Sequence, residues 1–192
     1  MPRQRLQGQK GFQMVLPANS LVLLCGPAGC GKSTFAARHF LPSQVVSSDQ
    51  CRAQLSDDPA NQEITPLAFQ LMHFIVEKRL SLGRLTIADA THLKREDRRP
   101  MVELAHRFGF NIAVIVFSIT LDVCLARNAG RARTIPADAL VAQHSLLQPT
   151  LDSIKREGFH YVFALDERQQ ELVEVKAGGP VRRYRTLRRR KR

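Results

Sequence analysis

A chain of 192 residues, 44% apolar and 24% charged, has room for one domain with an adequate core and the composition of an ordinary soluble globular protein. Its longest apolar runs, residues 21–25 and 112–117, are far too short to cross a bilayer. No apolar core of a signal peptide follows the basic first residues, so the expectation is a cytoplasmic protein with no membrane contact. The net charge of +12 is gathered at the ends: residues 181–192 hold eight Arg or Lys and no acid, residues 1–10 hold three more, and residues 11–180 carry 18 basic against 17 acidic groups. Such arms suit nucleic acid or another polyanion, although a solubilising tail would read the same way.

Residues 1–15 are polar, and Pro17, Ala18, Asn19 and Ser20 predict a turn into the first strand, residues 21–25. Gly26, Pro27, Ala28, Gly29, Cys30, Gly31, Lys32, Ser33 and Thr34 follow directly, a G-x-x-x-x-G-K-S phosphate-binding loop of the Walker A kind. The glycines let the backbone turn its N–H groups inward on an anion. Lys32 is placed to reach the outer phosphates of ATP, and the Ser33 hydroxyl to ligate Mg²⁺. A helix from Lys32 to about His39, with Phe35, Ala36 and Phe40 on its apolar side, adds the positive end of its dipole.

Pro42 ends that helix, and residues 44–47 predict a second strand delivering Ser48, Asp49, Gln50, Cys51 and Arg52 at its C-terminal end, where ligands bind in open parallel sheets. After a polar loop at 56–63, residues 66–82 predict a helix with Thr65 as N-cap and Leu67, Leu71, Phe74, Ile75 and Leu82 at helical spacing. Residues 85–89 predict the third strand, ending on Asp89, and residues 94–107 a helix that Pro100 kinks or divides. Residues 111–117 predict the fourth strand, and 121–133 and 137–156 are helical. Residues 161–165 predict the last long strand and 171–175 a further short one. Phe69, Phe74, Phe110 and Phe117 are expected in the core, and His73 and His106 are read as structural. The alternation implies an α/β fold of the P-loop NTPase kind, a doubly wound, mainly parallel sheet with helices on both faces. The boundaries that follow are a polar arm at 1–16, a kinase-like domain at 17–176 with a helical lid at about 121–150, and a basic tail at 177–192.

Phosphoryl transfer needs a group that activates the nucleophile and positive charge around the transferring phosphate. Asp49 is the candidate base, with a helix-cap role as the alternative; Arg52, one helical turn on, is placed to grip a phosphate beside it or to form a plain surface ion pair. Asp89 ends its strand as a metal-ordering acid, an acceptor contact or a capping residue would. Arg127 and Arg131 share a helix face near Arg133, as lid arginines or as a solvated basic face. Cys25, Cys30, Cys51 and Cys124 show no metal-type spacing and are read as reduced thiols, and the six histidines show no ligand spacing either.

Residues 26–34, 46–52, Asp89-Ala90-Thr91 and 124–131, in that order, resemble the kinase module of bacterial polynucleotide kinase-phosphatase over about residues 21–175. The resemblance implies an ATP- and Mg²⁺-dependent kinase acting on a nucleic-acid 5′-hydroxyl, in end healing or repair of RNA or DNA. It implies Lys32 and Ser33 on ATP·Mg²⁺, Asp49 as base, Arg52 on the first acceptor phosphate, Asp89 and Thr91 on the acceptor side, and Arg127 and Arg131 on the ATP phosphates. His92 departs from the family pattern, which tends to asparagine there. The chain ends without room for phosphatase and ligase modules, so a lone kinase or a fragment is expected; such modules on separate chains, and self-association, are compatible with the reading. A sugar or nucleoside kinase on the same scaffold, or a nucleic-acid-binding ATPase without an acceptor, are the rival readings.

Overall fold

The computed structural model describes residues 13–131 and 134–177. Five strands form one parallel sheet: β2 (Ser20–Cys25), β3 (Val45–Ser47), β4 (Thr86–Asp89), β5 (Asn111–Phe117) and β6 (Tyr161–Leu165), in the order β3-β4-β2-β5-β6. A separate parallel pair joins β1 (Gln13–Leu16) to β7 (Glu174–Ala177). Eight helices accompany them among the described residues: α1 (Lys32–His39), α2 (Ser48–Ser56), α3 (Thr65–Ser81), α4 (Arg95–Arg107), α5 (Leu121–Ala129), α6 (Ala137–Ser145), α7 (Leu147–Ile154) and α8 (Glu167–Leu172).

β2 is apolar along its whole length because both of its faces are covered. Leu21, Leu23 and Cys25 face a core built with α2, α3, α4 and α7, whereas Val22 and Leu24 face a second core with α1, α5 and α6. The sheet is therefore covered on both faces, as the doubly wound reading expects. Phe35, Ala36 and Phe40 bury α1 against the second core. The four cysteines are free and buried, and burial pushes the Cys25 thiol up to about 12.

Several local expectations change. On α3 the buried stripe is Ala68, Met72, Val76 and Leu80, while Leu67, Phe74 and Leu82 are exposed. The helix is apolar nearly all round, so spacing alone does not say which stripe meets the sheet. Phe74 lies outside the core, with the Lys78 ammonium 5.0 Å from its ring centre. Ile64, not Thr65, is the N-cap of α3. α4 passes through Pro100 as one helix. The long helix expected at 137–156 divides at Leu146, because Pro149 has no N–H for the Ser145 carbonyl and its ring crowds that group.

Residues 171 and 172, expected in a strand, belong to α8, whose start is fixed by a capping box: Asp166 Oδ1 accepts from Gln169 N at 2.7 Å and Gln169 Oε1 accepts from Asp166 N at 3.0 Å. Gln13–Leu16, inside the span read as a polar arm, form β1, with Met14 and Leu16 fully buried. The lid span at 121–150 is largely helical but anchored, since Cys124, Leu140 and Leu147 are buried. Of the basic tail only Ala177, the end of β7, is described; residues 178–192, 1–12 and Arg133 lie outside the described residues.

Candidate functional site: a phosphate loop and its cleft

The loop from Gly26 to Gly31 joins the end of β2 to the start of α1. Gly29 has φ +76°, and a Cβ there would stand 2.5 Å from the Cys124 carbonyl oxygen, so only glycine fits. Gly31, at φ +97°, is the N-cap of α1. The Lys32 ammonium donates to the carbonyls of Gly26 at 2.9 Å and Pro27 at 2.7 Å, folded along the loop that it serves. The Gly26 N–H in turn donates to the Thr91 carbonyl at 2.9 Å, which ties the loop to the segment after β4.

Ser33 opens the first turn of α1, and its hydroxyl donates to Asp89 Oδ2 at 2.7 Å. Asp89 is 6% exposed at the end of β4. Burial raises its carboxyl above the usual range; the Ser33 hydrogen bond and the charges of Lys32 and Arg131 oppose the rise, and Asp49 adds to it. These two oxygen-bearing side chains beside the phosphate loop are the hard donors that Mg²⁺ prefers, so the residues present fit that ion. Of the three roles open to Asp89 (metal-ordering acid, acceptor contact or cap), its hydrogen bond to Ser33 favours the first.

On α2 the Ser47 hydroxyl, at the N-cap, accepts from the Asp49 N–H at 3.2 Å. The cap role therefore falls to Ser47, and the Asp49 carboxylate, half exposed, pairs with the Arg52 guanidinium instead. Arg52 is 7% exposed, and its Nε also points to Thr65 Oγ1 at 3.4 Å, whose hydroxyl donates to the Gln62 carbonyl at 2.7 Å. It is a held side chain, not a solvated one.

A cleft of about 800 Å³ unites these groups. Lys32, Ser33, Asp49, Arg52, Asp89, Thr91, Arg127 and Arg131 all line it, so the residues singled out in the sequence converge on one site. Thr91 lines the cleft, whereas the His92 ring turns away into the core, its Nδ1 2.9 Å from the Leu24 carbonyl. Arg127 approaches Gly31 closely, one nitrogen lying 3.6 Å from where a Cβ on that glycine would be.

Two glutamines of the site carry no signal in the sequence. Gln143 on α6 accepts from the Ala28 N–H at 2.9 Å, and Gln170 on α8 donates to the Cys30 carbonyl at 3.0 Å. Arg38, Lys94 and Asp97 also line the cleft and belong to no motif. Burial raises the Asp97 carboxyl, and the neighbouring Glu96 adds to the rise.

The fold is similar to that of known kinases. A chain in the structure of the Pnkp1/Rnl/Hen1 RNA repair complex is 23% identical with a TM-score of 0.61, covering 72% of this chain and 47% of that one, so this chain spans about half its length. A sugar kinase from Janibacter sp. is 21% identical with a TM-score of 0.53, covering 81% of this chain and 89% of that one. A gluconokinase from Sinorhizobium meliloti is 18% identical with a TM-score of 0.51, covering 82% and 89%. No helix among the described residues is long and apolar enough to cross a membrane. The family model described as AAA domain matches residues 21–150, from the strand before the phosphate loop through the arginine-bearing helix α5 and into α7: the chain belongs to that family and has a P-loop kinase fold, which implies nucleotide binding.

Proposed function

We propose that the protein is an ATP-dependent polynucleotide 5′-hydroxyl kinase. The observation that carries the reading is the Asp49–Arg52 pair on the first turns of α2, set in the same cleft as Lys32 and Ser33. A carboxylate that can take a hydroxyl proton, locked to a guanidinium that can take a phosphate, suits an acceptor that is both an alcohol and a phosphate ester. A neutral sugar acceptor would offer the second group no anion to grip. The sequence resemblance to the polynucleotide kinase module and the basic termini support the same acceptor.

In the proposed reaction Asp49 accepts the proton of the terminal 5′-hydroxyl, and that oxygen bonds to the γ-phosphorus. The bond from the γ-phosphorus to the β,γ-bridging oxygen breaks, and ADP leaves. Lys32 leaves its loop carbonyls for the β- and γ-phosphates, and the loop N–H groups bind phosphate oxygens. Arg127 and Arg131 supply positive charge against the negative charge of the transferring group. A bound Mg²⁺ would neutralise phosphate charge, held by Ser33 with Asp89 behind it.

The test is incubation of the full chain with γ-labelled ATP and Mg²⁺ against 5′-hydroxyl RNA and DNA oligonucleotides, 3′-nucleotides, nucleosides, gluconate and other sugars. Label on the 5′ end of the oligonucleotides is expected. Label on sugars or free nucleosides alone, or ATP hydrolysis with no acceptor labelled, would overturn the assignment.

A further inference from the structure

Behind the cleft wall lies a buried ion pair that none of the reaction steps uses. Arg98 on α4 is 1% exposed, and its Nε and Nη2 donate to the two carboxylate oxygens of Glu157 at 2.7 and 2.6 Å. Burial alone would raise the Glu157 carboxyl, but hydrogen bonds from Arg98 and Ser153 hold it below its usual range.

The rest of the guanidinium reaches backbone. Nη1 donates to the carbonyls of His92 at 2.8 Å and Leu93 at 2.9 Å, and the Thr150 hydroxyl on α7 donates to the same Leu93 carbonyl at 2.6 Å. On its other side this short segment grips β2 and the phosphate loop. Cys25 Sγ donates to the His92 carbonyl at 3.1 Å, His92 Nδ1 donates to the Leu24 carbonyl at 2.9 Å, and the Thr91 carbonyl accepts the Gly26 N–H at 2.9 Å. Residues 91–93 are therefore a bracket, with α4 and α7 on one side and the first glycine of the phosphate loop on the other. His92 has φ +44°, a left-handed conformation that a non-glycine residue keeps only where its surroundings impose it.

A buried ion pair contributes little net stability compared with apolar packing, whereas its directional bonds fix geometry. We propose that Arg98 is a positioning residue for nucleotide binding: through its bonds to the His92 and Leu93 carbonyls it fixes residues 91–93 so that the Thr91 carbonyl holds Gly26, and with it the phosphate loop, in place. The inference rests on the loop being a nucleotide site and is independent of which acceptor is used.

The experiment measures binding of fluorescent N-methylanthraniloyl-ATP with Mg²⁺, and the melting temperature, for the full chain and three variants. Arg98→Lys keeps a charge beside Glu157 but has no fork to reach the two carbonyls as well; affinity is expected to fall roughly 3- to 30-fold. Thr150→Val, nearly isosteric, removes the second donor to Leu93 and should cost about threefold. Glu157→Gln leaves Arg98 its backbone partners, so melting should fall while affinity stays within about twofold. The proposal is overturned if Arg98→Lys binds within about twofold of wild type, or if affinity follows melting temperature across all three variants. Should Arg98→Lys fail to fold, an unchanged affinity in Thr150→Val overturns it instead. A wild-type chain that does not bind the probe removes the nucleotide site itself, an outcome visible before any variant is read.

Discussion

The Ser33 hydroxyl donates to a carboxylate oxygen of Asp89 across 2.7 Å, joining the first turn of α1 to the end of β4. β4 is the parallel neighbour of β2, with Leu24 in register with Asp89, so the acid is delivered beside the phosphate loop by sheet pairing alone. Asp89→Asn keeps the shape and the hydrogen bond but removes the charge behind Ser33, the proposed Mg²⁺ ligand. The Mg²⁺ concentration for half-maximal activity is expected to rise about 10- to 100-fold, the usual scale for a residue that orients a ligand. A Mg²⁺ titration of turnover measures it; an unchanged midpoint would return Asp89 to the acceptor side.

Asp49→Asn cannot accept a proton at neutral pH, although it still offers an oxygen to Arg52. Turnover at saturating ATP is expected to fall roughly 10²- to 10⁴-fold, with nucleotide affinity little changed. A loss under about threefold would remove Asp49 from the proton transfer.

Arg52 is expected to matter only where the acceptor carries the neighbouring phosphate. Arg52→Ala should lower kcat/KM on an oligonucleotide or a 3′-nucleotide by roughly 10- to 100-fold more than on a bare nucleoside, because a charge-assisted bond to phosphate is lost only there. Equal losses on both acceptors would assign Arg52 to holding Asp49 and Thr65.

Alanine at Arg127 or Arg131 is expected to lower the transfer rate on the order of 10- to 1,000-fold, less than an arginine finger supplied by a partner gives. The readout is kcat with saturating acceptor and varied ATP. If oligonucleotide binding weakens while the ATP kinetics hold, the two arginines belong to the acceptor track.

His92 predicts an acid-sensitive step in stability. Burial lowers its pKa to about 4 from the ordinary 6.5; the Leu24 carbonyl opposes the shift, and the charges of Lys32, Arg98 and His73 reinforce it. The folded value lies below the unfolded one, so the stability it contributes is complete above 6.5 and is lost as pH falls toward 4, where the unfolded chain takes a proton that the fold refuses. From this group alone the loss between about pH 7.5 and 5 is roughly 2 kcal/mol. Urea denaturation across that range measures the slope, and His92→Gln should flatten it. An equal slope in the variant would place the titration elsewhere.

Much of the nucleotide half of the site is local chemistry and was legible in the residue order. G-P-A-G-C-G-K-S after an apolar strand can turn in few ways, because Gly29 and Gly31 need positive φ and Gly29 has no space for a Cβ. The unbroken apolar runs of β2 and β5 likewise announce a sheet covered on both faces. The motif acids and arginines could be named because each stands at a fixed offset from the end of a strand or along one helix. What lay beyond the sequence was every choice made by packing at a distance. Which stripe of α3 meets the sheet was undetermined because Leu67 and Phe74 are as apolar as Ala68 and Met72, and only packing against β4 and its neighbours selects the latter. Gln143, Gln170 and the Arg98–Glu157 pair are invisible to any local pattern, since their partners lie 115, 140 and 59 residues away in the chain. A buried donor must find an acceptor wherever the fold brings one, and that placement is a property of the tertiary structure alone.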